Sequence, residues 1–233
     1  MDRRKFLENS EKAVIASAVI PASIFGAEPS NNSGHGKTRV VLVGTGIRGS
    51  ITWGKNLLND LGKYVEMVGL CDINPKRLET AKKFINTNAK TYIAADFDKM
   101  IKETKPDYVI VTTTDSFHVD YIVRSMELGV NVISEKPIAT EAEQCQRITD
   151  AEKRTGKRVT VGFNMRFMSG SLEMKKIIES GILGKILSVD FHEYLDTTHG
   201  ASYFRRWHGK TKYSGSLLVH KASHHFDLVS VWS

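Results

Sequence analysis

Short apolar runs alternate with amphipathic stretches from residue 37 to residue 163. The apolar runs are rich in β-branched residues and predict buried strands at 39–43, 65–71, 91–93, 108–112, 130–134 and 159–163. The stretches between them have helical periodicity and predict helices at 47–60, 75–85, 95–103, 118–128 and 141–154. Strands and helices in alternation imply an α/β fold, a parallel sheet covered by helices on both faces.

Local signals mark several of the predicted helix ends. Asn74-Pro75 supplies a capping side chain followed by proline in the first turn. Thr140-x-x-Glu143 has the spacing of a capping box. Gly129 and Gly156 are placed to end helices.

The pattern changes after residue 163. A helix is predicted at 169–180, a strand at Ile186–Tyr194, a long polar stretch at 196–213 and an apolar helix at 216–231. An isolated strand cannot bury itself, so this part predicts an unfinished second domain. We therefore expect residues 38–163 to fold alone and five apolar side chains of the last helix to lack cover: Val219, Phe226, Leu228, Val229 and Trp232.

A glycine-rich segment follows the first predicted strand directly. Its residues are Gly44, Thr45, Gly46, Ile47, Arg48 and Gly49, and the next long strand ends in Asp72. In dinucleotide-binding folds the first glycine permits a tight turn, the second admits a pyrophosphate and the third allows close helix packing, while the acid binds ribose hydroxyls. The segment and Asp72 therefore predict a doubly wound Rossmann domain that binds a dinucleotide.

The acidic residue also selects between two cofactors. A carboxylate at position 72 repels a 2′-phosphate, which favours NAD over NADP. Lys76 and Arg77 lie close enough to offer a phosphate clamp, although they also fit a solvated first helical turn.

Composition excludes several classes of protein. The chain has 41% hydrophobic and 25% charged residues, which is ordinary for a globular protein. Its formal charge of +7 comes from scattered basic residues without interleaved aromatic residues, so we predict no nucleic-acid partner. Cys71 and Cys145 fall in a predicted strand and a predicted helix, where we expect buried thiols rather than a disulfide.

The first 36 residues predict an export signal and a linker. Asp2-Arg3-Arg4-Lys5-Phe6-Leu7-Glu8 resembles a twin-arginine signal, and the apolar stretch at 13–25 is too short for a stable membrane span. A disordered basic tail is the alternative. Export would place the protein in the periplasm, and without use of the signal it would be cytoplasmic.

Three further motifs carry a family resemblance. They are Thr112-Thr113-Thr114-x-x-x-His118, Glu135-Lys136-Pro137 and Val161-Gly162-Phe163-Asn164-x-Arg166-Phe167. With the glycine-rich segment, their order and spacing resemble the glucose–fructose oxidoreductase and inositol dehydrogenase (Gfo/Idh/MocA) family over residues 38–233. The resemblance divides the chain into the export segment at 1–36, an NAD-binding domain at 37–163 and the start of a substrate and oligomerisation domain at 164–233. It implies that this last part is an incomplete α+β domain built on an open antiparallel sheet.

The resemblance implies the catalytic residues. Lys136 falls on the lysine beside the nicotinamide and the reacting hydroxyl, and its peptide bond to Pro137 is expected to be cis. His224 falls on the family's acid/base histidine, while His220 replaces an aspartate. On one helix His220, His224 and Asp227 would share a face. His220 could then act as a base or, with His224, bind zinc, but two histidines without a third ligand do not predict a metal site.

Other residues complete the predicted site. Beside the glycine-rich segment and Asp72, the expected cofactor contacts are Thr113, His118, Glu135 and Lys136. Expected substrate contacts are aromatic faces, guanidinium groups and acids that suit a sugar: Arg166, Tyr194, Arg206, Trp207, His208 and Asp227, with His199 and Arg205 nearby. Arg166 could alternatively hold the helix that follows.

The resemblance implies an NAD-dependent oxidoreductase acting on a secondary alcohol of a sugar, glycoside or cyclitol. Two alternatives remain: an NAD-dependent glycosidase that oxidises and re-reduces its substrate, and an inactive dinucleotide-binding remnant. The expected partners are a small carbohydrate and, in a full-length form, further copies of the chain.

Overall fold

The computed structural model describes residues 36–232, apart from the side chains of Thr198 and His199. The predicted export signal therefore lies outside the described residues, and so does the side chain of His199. No helix in the described part is both long and apolar enough to cross a membrane.

Six parallel strands form one sheet in the order β3-β2-β1-β4-β5-β6. They are β1 (Thr38–Val43), β2 (Val65–Asp72), β3 (Lys90–Ile93), β4 (Tyr108–Val111), β5 (Asn131–Ser134) and β6 (Val159–Val161). This order confirms the predicted doubly wound sheet. The strand order reverses between β1 and β4, and ligands bind at the carboxyl ends of the strands beside such a point.

Helices cover both faces of the sheet. Residues 47–61 are helical, as a π-helix over Gly49–Asn56 and as α1 over Leu57–Leu61. The other helices of this part are α2 (Pro75–Ile85), α3 (Phe97–Thr104), α4 (His118–Glu127) and α5 (Ala142–Thr155). Alternate residues of β1 enter different clusters, with Val41 and Val43 on one face and Val40 and Leu42 on the other. A strand buried on both faces therefore separates two cores.

Most of the predicted helix ends are confirmed. Asn74 accepts hydrogen bonds from the backbone of Lys76 and Arg77, and Gly129 and Gly156 adopt positive φ. The predicted capping box between Thr140 and Glu143 is wrong. The side chain of Gln144, one residue beyond Glu143, accepts the Thr140 N–H at 2.9 Å because α5 begins later than expected.

One cysteine prediction is also wrong. Cys71 is buried, and burial beside Asp72 raises its pKa to about 12. Cys145 is exposed because it lies on the solvent side of α5, whose buried face presents Ile148 and Ala151.

The part after β6 is helical in the described residues. A 3₁₀ turn (Asn164–Phe167) leads into α6 (Ser169–Glu179), followed by α7 (Thr197–Arg205), α8 (Thr211–Ser214), α9 (Leu217–His220) and α10 (Ser223–Trp232). The predicted strand Ile186–Tyr194 is wrong, since this segment pairs with no strand of the described part. Leu187 is 86% exposed and Tyr194 93%. Without a neighbouring strand, its backbone groups form no ladder.

The predicted helix 216–231 is interrupted at residues 221–222. Its second half, α10, packs on α6, where the Trp232 indole donates to the Ser171 carbonyl at 3.3 Å. Leu228 is buried, so the expectation that it lacks cover is wrong, whereas Phe226 is 61% exposed. Val219, Val229 and Trp232 are half-buried, which also departs from that expectation.

Candidate active site

The glycine-rich segment forms a tight turn between β1 and the π-helix. Gly44 has a φ of +90°, and a Cβ there would lie 2.6 Å from the Thr112 carbonyl oxygen. A Cβ on Gly49 would overlap the Gly44 carbonyl, whereas one on Gly46 would meet no atom within 4 Å. The turn therefore requires glycine at 44 and 49 for its own packing, and it leaves the backbone of Gly46 open. An open backbone at this position fits the approach of a dinucleotide pyrophosphate.

Asp72 is buried at the tip of β2 beside this turn. One carboxylate oxygen accepts from the Thr45 N–H at 2.7 Å and from its hydroxyl at 2.9 Å. The other accepts from the Asn74 N–H at 2.9 Å, and an Arg77 nitrogen lies 3.5 Å away. Arg77 is thus paired with the acid that the sequence assigns to the ribose, and it is not a separate phosphate clamp.

Glu135 points into the protein and connects two motifs. Its Oε1 accepts from Arg48 Nε at 2.6 Å and from Trp53 Nε1 at 2.7 Å. Arg48 belongs to the glycine-rich turn, and Trp53 to the π-helix after it. Both predicted cofactor contacts, Arg48 and Glu135, are therefore joined to each other, and the pair fixes the lysine turn against the dinucleotide turn.

Lys136 is half-buried at the carboxyl end of β5, and its peptide bond to Pro137 is cis. Its ammonium donates to the His220 carbonyl at 2.6 Å. Desolvation lowers the pKa of Lys136, with a smaller contribution in the same direction from Lys221, while Asp115 and Glu135 oppose it. A lysine with a lowered pKa can exchange a proton more readily than a fully solvated lysine.

His118 supports this turn from beneath. The ring is buried, with Nδ1 2.8 Å from the Pro137 carbonyl oxygen and Nε2 3.2 Å from that of Thr113. His118 thereby ties the loop after β4 to the loop after β5. Contact of Thr113 or His118 with a cofactor stays a prediction.

His220 and His224 lie in different helices, which corrects the expectation that they share one helical face. The break after α9 leaves the His220 carbonyl free of a helical partner and available to Lys136. His220 Nδ1 hydrogen-bonds with an Asp115 carboxylate oxygen. The zinc alternative required His220 and His224 to lie on one helix. In addition, the described residues contain no cluster of three or more His, Cys, Asp or Glu side chains suited to a metal ion.

Asp115 is a site residue that the sequence reasoning missed. It is buried in the 3₁₀ turn Asp115–Phe117 that follows β4, and burial raises its pKa to about 7. Burial, with Lys136 and Lys221, lowers the pKa of His220 to about 3. Asp115 lies inside the Thr112–His118 motif, at the carboxyl edge of the sheet, and this position is the sequence signal from which it could have been predicted.

His224 is buried at the start of α10. Its Nδ1 has no hydrogen-bond partner in the described part, and its ring lies edge-on to Phe163 at 5.8 Å between centroids. Burial, followed by the charges of Lys136 and Lys221, lowers its pKa to about 3. The structure therefore presents a neutral imidazole within electrostatic reach of Lys136.

Arg166 and Asp227 pair with each other. The guanidinium donates from Nε at 2.6 Å and from Nη2 to the two oxygens of the buried carboxylate, and this pairing raises the pKa of Arg166. The pairing supports the alternative that Arg166 holds the helix, and contact of either residue with a substrate stays a prediction. The pair joins the 3₁₀ turn after β6 to α10.

An aromatic cluster borders His220. Trp207 stacks on His208 at 3.9 Å, and the His220 ring lies edge-on to Trp207 at 5.5 Å and to Tyr203 at 5.6 Å. Burial lowers the pKa of His208 to about 4. Tyr194 does not join this cluster, since its exposed ring faces His192, and Arg206 is exposed.

Known proteins match the chain in sequence. Residues 38–163 match the family model of the Gfo/Idh/MocA oxidoreductase family, NAD-binding Rossmann fold, and residues 175–232 match that of its C-terminal alpha/beta domain. The YteT protein of Bacillus subtilis (strain 168) is 40% identical over 195 residues, 83% of this chain and 46% of YteT. Inositol 2-dehydrogenase of Salmonella typhimurium (strain LT2) is 35% identical over 158 residues, 67% of this chain and 46% of the enzyme. The chain spans about half the length of these curated relatives.

Solved structures match the fold. The WlbA dehydrogenase from Bordetella pertussis, in complex with NADH and UDP-GlcNAcA, has a TM-score of 0.71 and 28% identity over 83% of this chain and 54% of WlbA. The myo-inositol dehydrogenase from Lactobacillus casei, in complex with NAD(H) and myo-inositol, has a TM-score of 0.59 and 28% identity over 65% of this chain and 44% of that enzyme.

Proposed function

This chain belongs to the Gfo/Idh/MocA oxidoreductase family, whose Rossmann domain binds NAD, and on that premise we propose that it transfers a hydride between nicotinamide and a secondary alcohol of a cyclitol or sugar. One observation carries the proposal. Lys136 is half-buried and has a lowered pKa at the carboxyl end of the sheet, in a turn that Glu135 fastens to the glycine-rich turn. The proton-exchanging group and the dinucleotide turn are therefore held together by one hydrogen-bonded link.

The chain's own residues supply the proton chemistry. NAD, when bound, supplies the hydride acceptor at its nicotinamide ring. Lys136 binds the substrate hydroxyl and, with its lowered pKa, takes up or returns the hydroxyl proton. His224 is neutral at physiological pH and has an unpartnered buried nitrogen, which suits it to hold the same hydroxyl or receive its proton.

The substrate class rests on the relatives and on the aromatic cluster. Inositol 2-dehydrogenases are 35% identical to this chain, and two of the matching structures are complexes with an inositol or a nucleotide sugar. Trp207, His208 and Tyr203 present ring faces and edges beside His220. Such faces pack against the C–H surface of a cyclic polyol, and the nearby Arg206 can hydrogen-bond its hydroxyls.

The proposal includes the setting of the reaction. Export by the twin-arginine-like segment at residues 2–8 would carry a folded, NAD-loaded protein out of the cytoplasm. Association of copies in a full-length form is proposed from the family resemblance.

A substrate panel tests the proposed activity. The protein is incubated with NAD and a series of inositols, aldoses and glycosides while NADH absorbance and released sugar are followed. Net NADH formation with an intact polyol supports the proposal. Glycoside cleavage without net NADH would instead support the glycosidase alternative, and NAD binding without turnover of any panel member would support the inactive remnant.

Lys136→Met tests the assignment of the proton-exchanging group. We expect kcat to fall by at least about 10²-fold, because general acid–base catalysis contributes on that scale, while NAD affinity stays within about 3-fold. Lys99→Met, at an exposed position on α3, is the matched control and should leave both unchanged. Turnover by Lys136→Met equal to that of the control would refute the role of Lys136.

A further inference from the structure

Asp115 and His220 form a buried pair that the roles assigned above do not use. We propose that Asp115 is a positioning residue for the reaction: its carboxylate holds His220 as the Nδ1–H tautomer and so leaves Nε2 as the ring nitrogen that exchanges a proton. This inference rests on the proposed function and adds to it a second proton-exchanging group beside Lys136.

The location of the hydrogen bond determines which nitrogen of the His220 ring can exchange a proton. Asp115 lies on the loop after β4 and His220 at the end of α9, so the hydrogen bond joins the dinucleotide domain to the segment after it. The His220 side chain is 13% exposed and that of Asp115 3%. Because Nδ1 is bound by the carboxylate, any proton that His220 exchanges with the cleft must pass through Nε2.

The backbone of the same residue completes the arrangement. The His220 carbonyl accepts the Lys136 ammonium at 2.6 Å, so one residue is bonded to Asp115 through its ring and to Lys136 through its main chain. Loss of the Asp115–His220 hydrogen bond would therefore shift the Lys136 ammonium, because His220 contacts both residues. An aspartate that only filled space would not have this connection.

Burial favours the neutral form of both partners, whereas the positive charge of Lys136 favours the carboxylate of Asp115 and the neutral ring of His220. The groups that face the pair from neighbouring elements are His118 on α4, Glu135 and Lys136 after β5, Tyr203 on α7, His208 before α8 and Lys221 after α9. Burial raises the pKa of Asp115 to about 7 and lowers that of His220 to about 3. Because the two share a hydrogen bond, we expect them to take up one proton as a unit near neutral pH. A general base is most effective when it titrates near the working pH.

Nuclear magnetic resonance of isotope-labelled histidine rings in the full chain tests the pairing without any substrate. At alkaline pH we expect His220 to carry its proton on Nδ1. As the pH falls through about 7, Asp115 takes up a proton, and we expect the neutral His220 ring to change to the Nε2–H tautomer. An Nε2–H tautomer at alkaline pH in the wild-type protein would overturn the proposal, whatever the behaviour of any variant.

Asp115→Asn removes the negative charge at nearly constant shape. We expect the tautomer change of His220 near pH 7 to disappear, because an amide does not take up a proton in this range. With a substrate identified in the panel, kcat should fall at least about 10-fold with KM within about 3-fold. Asp115→Glu should recover part of kcat by restoring the carboxylate, which a purely structural role would not require.

Asp98→Asn is the matched control, since Asp98 forms an ion pair with Arg124 on the surface, and it should leave the His220 resonances and kcat unchanged. An Asp115→Asn variant with wild-type kcat and an unchanged His220 titration would refute the inference while the dehydrogenase proposal stood. Absence of turnover by the wild-type protein, with the expected His220 titration, would refute the proposed function and retain the pairing.

Discussion

At the scale of single residues, burial decides the protonation states of the site. His208, His220 and His224 all have pKa values lowered to about 3 or 4, and desolvation is the largest cause for each. Lys136 contributes in the same direction to all three, because a nearby cation disfavours an imidazolium. Neutral imidazoles can both donate and accept a proton, which a hydroxyl-oxidising site requires.

Asp72 is the residue at which cofactor choice can be tested. Asp72→Asn removes the charge that repels a 2′-phosphate and releases Arg77, while its amide oxygen can still accept from Thr45. We expect NAD affinity to fall about 10-fold and the preference for NAD over NADP to shrink, as measured by calorimetric titration of both cofactors. Adding Arg77→Gln should abolish any gain in NADP affinity. An unchanged preference in Asp72→Asn would contradict the assignment.

At the scale of elements, two connections place the site. The break between α9 and α10 turns the His220 carbonyl toward Lys136, and the Glu135 carboxylate joins the turn after β5 to Arg48 and Trp53. Each connection crosses between elements distant in sequence. Lys136, the proposed proton-exchanging group, is thus held from both sides by groups outside its own loop.

The turn between β1 and the π-helix offers a paired prediction. A Cβ on Gly49 would overlap backbone, so Gly49→Ala should lower the free energy of unfolding by about 1–3 kcal/mol. A Cβ on Gly46 meets nothing, so Gly46→Ala should cost less than about 0.5 kcal/mol and instead weaken NAD binding. Denaturant unfolding and NAD titration measure the two effects.

Gly170→Ala is the control for this pair, because its Cβ also meets no atom and lies outside the turn. It should leave NAD affinity unchanged and raise the free energy of unfolding by up to about 1 kcal/mol, because Gly170 lies in α6 and alanine is favoured over glycine in a helix. Equal NAD affinities for Gly46→Ala and Gly170→Ala would show that the open backbone of Gly46 does not receive the cofactor.

At the scale of the whole molecule, the apolar core is concentrated in the first part of the described chain. Among the described residues, Leu228 is the single buried apolar side chain beyond Ala151. Several large apolar side chains of the later part are instead exposed: Ile182, Leu187, Val189, Phe204, Leu217, Leu218 and Phe226. Burial of apolar area is the main source of folding free energy, so the two parts differ in their own stability.

Hydrogen exchange measures this difference. We expect strong protection of the amides of β1, β2 and β4 and weaker protection of α7 to α10, because few buried apolar contacts support the latter. The amides of α6 and α10 that flank the Ser171–Trp232 contact should be the best protected of the later part. Protection of α10 equal to that of β1 in a monomer would refute this expectation.

The sequence predicted the sheet closely and the later part poorly, and the reason is physical. Most of the six strands contain a short apolar run, so their existence depends on local residues, and the exception is the edge strand β3, in which Tyr92 alone is buried. The segment Ile186–Tyr194 has the same composition but no neighbouring strand in the described residues. Strand formation depends on a partner, which periodicity does not reveal.

The sequence by itself determined the glycine-rich turn, Asp72, the lysine turn with Lys136 and the alternation of parallel strands with helices, because these depend on short-range spacing and on the rules of strand–helix alternation. Only the tertiary structure decided which charged groups meet. Arg166 pairs with Asp227, Arg48 with Glu135 and Asp115 with His220 across separations of 61 to 105 residues. Such pairs depend on how the chain folds back on itself, and no local pattern encodes that.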